Sequence, residues 1–147
     1  MEKFYTLCDD NHIKPSNVFS IRERTDMLTL MVKEYGLLPY ISIDVIARPE
    51  YDCNGFNEKY SIEEFDVVFP SINNKDGDFD SCRNENFGEI LQRKIFEVKP
   101  PITMHFTDIV QKIKQGESPE SFFSKSVVDY LGKINGFERL QISIRRT

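Results

Sequence analysis

The chain has no tryptophan, only three cysteines, and seven each of glycine and proline in 147 residues. So few glycines and prolines exclude collagen-like and low-complexity sequences, and 39% hydrophobic residues suffice to bury a core. Because phenylalanine occurs twelve times, we expect a core of Phe with Ile, Leu and Val. The length predicts one folding unit, residues 1–147, of ordinary domain size.

Long apolar runs are also missing. No stretch approaches the roughly 20 apolar residues that span a bilayer, and the opening MEKFYTLCDDNH has no apolar run of signal-peptide length. Cys8, Cys53 and Cys82 are odd in number and widely spaced, which argues against a disulfide framework and favours free thiols. We therefore expect a cytoplasmic protein that does not associate with a membrane.

Acidic residues are concentrated in the middle of the chain. Residues 44–80 hold ten acidic and three basic residues, a charge of −7, whereas 1–43 carry −1 and 81–147 carry +3. Such a block repels nucleic acid, because phosphate contacts require Lys and Arg, and it attracts basic protein surfaces. The alternative is a solvated face that only aids solubility.

Periodicity and capping signals give a coarse secondary structure for the first half. Residues 3–7 predict a strand, and Ser20 with Glu23 forms a capping box that starts a helix over 21–35, ended by Gly36. Alternation over 38–48 predicts a second strand. Residues 51–57, with the turn pair Asn54-Gly55, predict a loop.

The second half is predicted in the same way. Residues 87–98 fit a strand or a short helix, and 102–106 fit a short strand. Helices are predicted after Thr107, ending at Gly116, and after Ser118-Pro119, ending near Gly136. Residues 140–144 alternate and predict a final strand. The fold class is therefore α+β, a single domain with a mixed or antiparallel sheet and about three helices.

The candidate binding residues come from one strand and the loop that follows it. The alternation over 63–69 places Phe65, Val67 and Phe69 toward the core. It places Glu64 and Asp66 on the opposite face, together with Val68 and Ile62. The polar loop 71–86 adds further acids and one aromatic residue, namely Asp76, Asp78, Asp80 and Phe79. Phe79 is either an apolar anchor for a partner or tucks under its own loop.

The sequence from Asp76 to Asp80 is similar to the start of a calcium loop, but the similarity ends there. Counting Asp76 as position one, Ser81 stands where the loop needs glycine and Phe87 where it needs the bidentate glutamate. We therefore favour an acidic turn and expect no metal site.

Other catalytic arrangements are also missing. Cys8 and His12 are the only close pair of zinc-type ligands, while Cys53, Cys82 and His105 are scattered. Catalysis by a cysteine would need a base brought to it by the fold. No phosphate-binding glycine loop and no nucleophile elbow occurs. We expect no catalytic residue, no cofactor and no enzymatic activity.

Three stretches carry a resemblance: EEFDVVFPSINNKDGDFD (63–80), KPPITMHFTDIVQKI (99–113) and SPESFFSKSVVDYL (118–131). In these and in its acidic α+β profile the chain resembles the immunity proteins of bacterial contact-dependent growth inhibition systems. The resemblance implies a complex with the toxic domain of a cognate delivered protein, often a nuclease, whose active site is covered. The alternatives are another protein-binding inhibitor or adaptor, such as a phage-encoded one, or a small enzyme of unrecognised type.

Overall fold

The computed structural model describes residues 4–8, 18–49, 51–70, 86–99, 104 and 106–144. The chain divides into two compact units: unit 1 is Met1–Ile46 with His105–Thr147, and unit 2 is Ala47–Met104. Both units contain helices and strands, so the predicted α+β class is confirmed. The single domain over 1–147 stays a prediction.

Helices and strands alternate along much of the chain. In chain order they are β1 (Phe4–Cys8), α1 (Ile21–Glu34), β2 (Ser42–Ile46), α2 (Cys53–Lys59), β3 (Val67–Pro70), α3 (residues 86–91), β4 (Ile95–Val98), α4 (Phe106–Lys114), a 3-10 turn (Pro119–Ser121), α5 (Lys125–Lys133) and α6 (Gly136–Ile144). The described residues thus hold more helices than the predicted three.

The capping box that predicted α1 is present. The Ser20 hydroxyl accepts a hydrogen bond from the Glu23 amide at 3.2 Å, and the Glu23 carboxylate accepts one from the Ser20 amide at 2.8 Å. At the other end Gly36 has a φ of +68°, a left-handed conformation that costs glycine little. The helix therefore begins and ends where its sequence signals place it.

Both described strand pairs are parallel, so the prediction of a mixed or antiparallel sheet is wrong for them. β1 pairs with β2 from Phe4↔Ser42 to Cys8↔Ile46, and β3 pairs with β4 from Val67↔Ile95 to Pro70↔Val98. Each pair is joined by a connection that contains a helix, α1 in unit 1 and α3 in unit 2. A crossover of this kind joins parallel strands, whereas antiparallel neighbours can be joined by a short hairpin.

Two segments predicted as a loop and a strand are helical. Instead of a loop over 51–57, Asp52 caps α2 by accepting a hydrogen bond from the Gly55 amide at 3.0 Å. Instead of a strand over 140–144, the chain forms α6, with Leu140 buried and Ile142 exposed. In the first segment, capping by Asp52 outweighs the turn pair Asn54-Gly55. In the second, burial at helical spacing outweighs the alternation of apolar and polar residues.

The helices of the C-terminal part also differ in their limits. Thr107 lies inside the first turn of α4 rather than capping it, because the helix begins at Phe106. Residues 102, 103 and 105 of the predicted short strand lie outside the described residues. The helix predicted after Ser118 is divided: Pro119 opens the 3-10 turn, and α5 begins only after Ser124.

Unit 1 has an apolar core formed mainly by its helices. Its buried side chains are Phe19, Val110, Val127, Leu131 and Leu140, with Met27, Met31, Phe123, Ile134 and Phe137 packed against them. Phenylalanine and aliphatic residues dominate this set, as the composition predicts.

Candidate protein-binding surface

The net charge of the protein resides in unit 2. Residues 47–104 contain twelve acidic and seven basic residues, whereas the remainder of the chain contains twelve of each. Unit 1 is therefore neutral overall and unit 2 carries −5. An acidic unit attracts basic partners over a range set by the Debye length, about 8 Å at physiological ionic strength.

The predicted alternation around Glu64 and Asp66 is confirmed. Both side chains are exposed, while Phe65, Val67 and Phe69 are half-buried. The strand itself is shorter than predicted, since β3 begins at Val67 and Glu64 lies in the turn over 62–64. The other predicted binding residues, Asp76, Asp78, Phe79 and Asp80, lie outside the described residues.

A buried arginine holds the backbone beneath these acids. The side chain of Arg93 is only 7% exposed, and its guanidinium donates to the carbonyl oxygens of Tyr60 at 2.6 Å and Ser61 at 3.4 Å. It also donates to the Phe65 carbonyl and, at 3.3 Å, to the Asn57 side-chain oxygen. One rigid side chain thus contacts both ends of residues 60–65. We call the exposed residues Glu63, Glu64 and Asp66 the acidic segment.

Local structure explains how Arg93 reaches this position. Gln92 adopts a left-handed φ of +52° at the end of α3, and the Arg93 amide donates to the Gly88 carbonyl at 3.1 Å. From α2, the Asn57 amide group donates to the Leu91 carbonyl at 3.0 Å. These contacts fix both the helix end and the arginine that follows it.

Aromatic packing supports the same backbone. Tyr60 is 4% exposed, and its ring lies 5.1 Å from that of Phe56 and 5.7 Å, edge to face, from that of Phe65. Such pairs contribute about 0.5–1.5 kcal/mol each beyond the area they bury. The turn that bears Glu63 and Glu64 is therefore anchored by rings at both ends.

An open cavity is lined by two of the residues that Arg93 contacts, Asn57 and Ser61. Its volume is about 220 Å³, it is open to solvent, and it is lined by Asn57, Ser61, Ile62, Glu63, Leu91 and Gln92. Pockets that enclose small ligands usually measure about 300–1,000 Å³. This cavity is therefore smaller than the pockets that usually enclose a substrate molecule.

The most perturbed carboxylate has a structural role. Arg139 forms a two-pronged ion pair with Glu23, at 2.6 and 2.9 Å, and lowers the pKa of Glu23 to about 2. The same guanidinium lies 5.0 Å from the centre of the Phe19 ring. Glu34 accepts hydrogen bonds from the Lys125 and Ser126 amides. The Ser126 side chain and then these amides lower the pKa of Glu34. Both acids hold α1 against the C-terminal helices.

The described residues contain neither a cluster of metal ligands nor a helix that could span a membrane. Among them, no three His, Cys, Asp or Glu side chains are close enough to hold a metal ion. Within the same ranges, no helix is both long and apolar enough to cross a membrane. Cys53 is a half-buried free thiol, and Cys82, His12 and His105 lie outside the described residues.

Sequence reasoning predicted the outward position of Val68 but did not identify the burial of Arg93 or the exposure of Phe96. Arg93 lies between Gln92 and Lys94, in a polar run that gives no sign of burial. Val68 and Phe96 are 52% and 40% exposed, although strand residues of this type are usually covered.

In comparisons with known proteins, no family model and no curated protein matches this chain.

Proposed function

We propose that this protein is a cytoplasmic immunity protein that binds a basic toxin domain and has no catalytic activity of its own. The acidic segment supports this most directly: three exposed carboxylates stand on a backbone that a buried arginine holds. The location of the entire net charge in the same unit adds to this support. The loop acids Asp76, Asp78 and Asp80, with Phe79, belong to the proposed surface on sequence grounds.

A fixed acidic surface suits rapid capture of a toxin. Complementary charges raise association rate constants from about 10⁵–10⁶ toward 10⁸–10⁹ M⁻¹s⁻¹ at low salt. A backbone that is already ordered loses little conformational entropy when the partner binds. Anchoring of residues 60–65 by Arg93 therefore favours both the speed and the affinity of binding.

Inhibition would follow from occupation of the toxin's active site. A nuclease cleft is positively charged because it must hold phosphates, so an acidic surface that enters it competes with the substrate. The alternative is binding to a remote site that prevents the toxin from meeting an activating partner. Competition by the nucleic acid substrate separates the two mechanisms.

The first experiment measures binding to the toxin domain encoded by the adjacent upstream gene. Glu63→Gln/Glu64→Gln/Asp66→Asn should lower the association rate constant about tenfold or more and weaken its salt dependence. The matched control is Glu117→Gln/Glu120→Gln/Glu138→Gln, which removes the same charge from exposed acids of unit 1. The control should change the rate constant by less than about twofold.

Two results would each contradict one part of the proposal, the location of the surface or the mechanism of inhibition. Equal effects of the test and control variants would show that only net charge matters and that the surface lies elsewhere. A ternary complex of toxin, substrate and this protein at saturating substrate would exclude occlusion of the active site.

A further inference from the structure

The two faces of the β3–β4 ladder have different surroundings. On one face the Phe69 ring lies 5.1 Å from the Phe87 ring of α3, and Val67 and Ile95 are half-buried. On the other face Val68 and Phe96 are register partners, with 52% and 40% of their surface exposed. Val98, two residues beyond Phe96 on the same face, is 54% exposed. We call Val68, Phe96 and Val98 the apolar row.

Exposure of such a row on parallel strands is unusual. Parallel sheets are generally covered on both faces, because the crossover helices lie against them. In unit 2 the described helix α3 covers one face of the ladder, and the apolar row stays exposed. Contiguous exposed apolar side chains with a charged border are typical of protein-binding surfaces.

The charges beside the row indicate the chemistry of its partner. Asp66 precedes Val68 by two residues and shares its face, and Glu64 lies just before it in the turn. Lys94 lies just before β4, two residues before Phe96, and its ammonium is 4.6 Å from the centre of the Phe96 ring. Of these three charged residues two are acidic, and the sequence of unit 2 carries −5 in total.

We propose that the apolar row is the centre of the interface with the basic partner, and this proposal rests on the proposed function. An aliphatic or aromatic side chain of the toxin domain would pack on Val68 and Phe96, with Lys or Arg residues beside it pairing with Glu64 and Asp66. Central apolar contacts govern dissociation, whereas charges at the rim govern association. The row and the acidic segment therefore act on different rate constants.

The test measures both rate constants with the toxin domain of the adjacent gene as the probe. Val68→Ser/Phe96→Ser should raise the dissociation rate constant about tenfold or more and change the association rate constant less than about threefold. The matched control, Tyr35→Ser/Leu38→Ser, removes side chains of unit 1 that are 63% and 50% exposed. This control should leave both rate constants within about twofold of the wild type.

A single charge variant tests the chemistry of the partner. Lys94→Gln removes a positive charge that lies 4.6 Å from the Phe96 ring, so it should raise the association rate constant for a basic partner about two- to fivefold. A decrease would show that the partner is acidic at this point and would overturn the proposal.

The remaining outcomes separate the two proposals. If the wild type binds and Val68→Ser/Phe96→Ser dissociates at the wild-type rate, the row is not the centre, while the proposed function stands. If the wild type does not bind, the proposed function itself fails. Loss of the cooperative unfolding transition in the double variant would show that this chain itself covers the apolar row. A dimer in light scattering that the double variant abolished would show that a second copy covers the apolar row. Either result overturns the proposal.

Discussion

Replacing Arg93 by methionine removes the hydrogen bonds that connect residues 57–65 to the end of α3. Methionine retains most of the side-chain volume but has no donor for the carbonyl oxygens of Tyr60 and Phe65. A hydrogen bond from a charged group contributes about 1.5–3 kcal/mol, so these two bonds correspond to about 3–6 kcal/mol. Water that enters from the open cavity can satisfy part of the loss. We therefore expect the free energy of unfolding to fall by about 3 kcal/mol.

Urea unfolding followed by circular dichroism measures this change, and hydrogen exchange shows where it acts. Amides of residues 61–66 should exchange faster in the Arg93→Met variant, because the arginine no longer holds their backbone. Lys94→Met is the matched control, since it removes the same charge from an exposed neighbour. A surface substitution of this kind should change stability by less than about 0.5 kcal/mol. Equal stability of the two variants would refute the role assigned to Arg93.

Three further predictions concern unit 1. The pKa of Glu23 is about 2 in the folded protein against an ordinary 4.5, so its pair with Arg139 stabilises the fold above pH 4.5 and is lost as the pH falls toward 2. Glu23→Gln should therefore remove about 2 kcal/mol at neutral pH and flatten the acid limb of the stability curve; an unchanged acid limb would contradict this. Glu34→Gln should lower Tm more at pH 7 than at pH 3, because hydrogen bonds from Ser126 and Lys125 lower the pKa of this carboxyl in the folded protein. Thermal melts at both pH values test this, and an equal loss of Tm at the two would contradict it. Gly36→Ala should lower the free energy of unfolding by about 1 kcal/mol, because Gly36 has a φ of +68°. Gly132→Ala in α5 should raise the free energy of unfolding by about 0.5–1 kcal/mol. Urea titrations in which both variants changed stability in the same direction would contradict this argument.

Features that depend on neighbouring residues were predictable from the sequence. The capping box at Ser20 and Glu23 places the start of α1, because both of its hydrogen bonds span only three residues. The alternation from Glu64 to Phe69 predicts which side chains are exposed, because it follows from strand geometry alone.

Features that depend on distant residues were not predictable in this way. Leu140 joins a core that contains Leu131 and Val110, and Arg139 reaches across the sequence to Glu23, so tertiary contacts select a helix where the alternation predicts a strand. The spacing of Phe137, Leu140 and Ile144 also fits a helix and is the signal that favoured it. The parallel pairing depends on which strands meet, which periodicity does not encode.

Part of the candidate surface was predictable, because it depends only on the composition and spacing of neighbouring residues. Charge counting locates the acidic unit, and alternation exposes Glu64 and Asp66. Burial of Arg93 has no local signal, because its partners are mainly backbone oxygens about thirty positions earlier in the chain.

Because Arg93 binds main-chain oxygens, the side chains of the surrounding surface can change in evolution without loss of these hydrogen bonds. Arg93 contacts main-chain oxygens of Tyr60, Ser61 and Phe65, which every amino acid supplies at those positions. The exposed side chains of Ile62, Glu63 and Glu64 contribute no atom to these hydrogen bonds. If the proposed function holds, mutations there would change which partner is recognised while the backbone of this turn keeps its shape. A lineage could acquire a new specificity without first losing foldability.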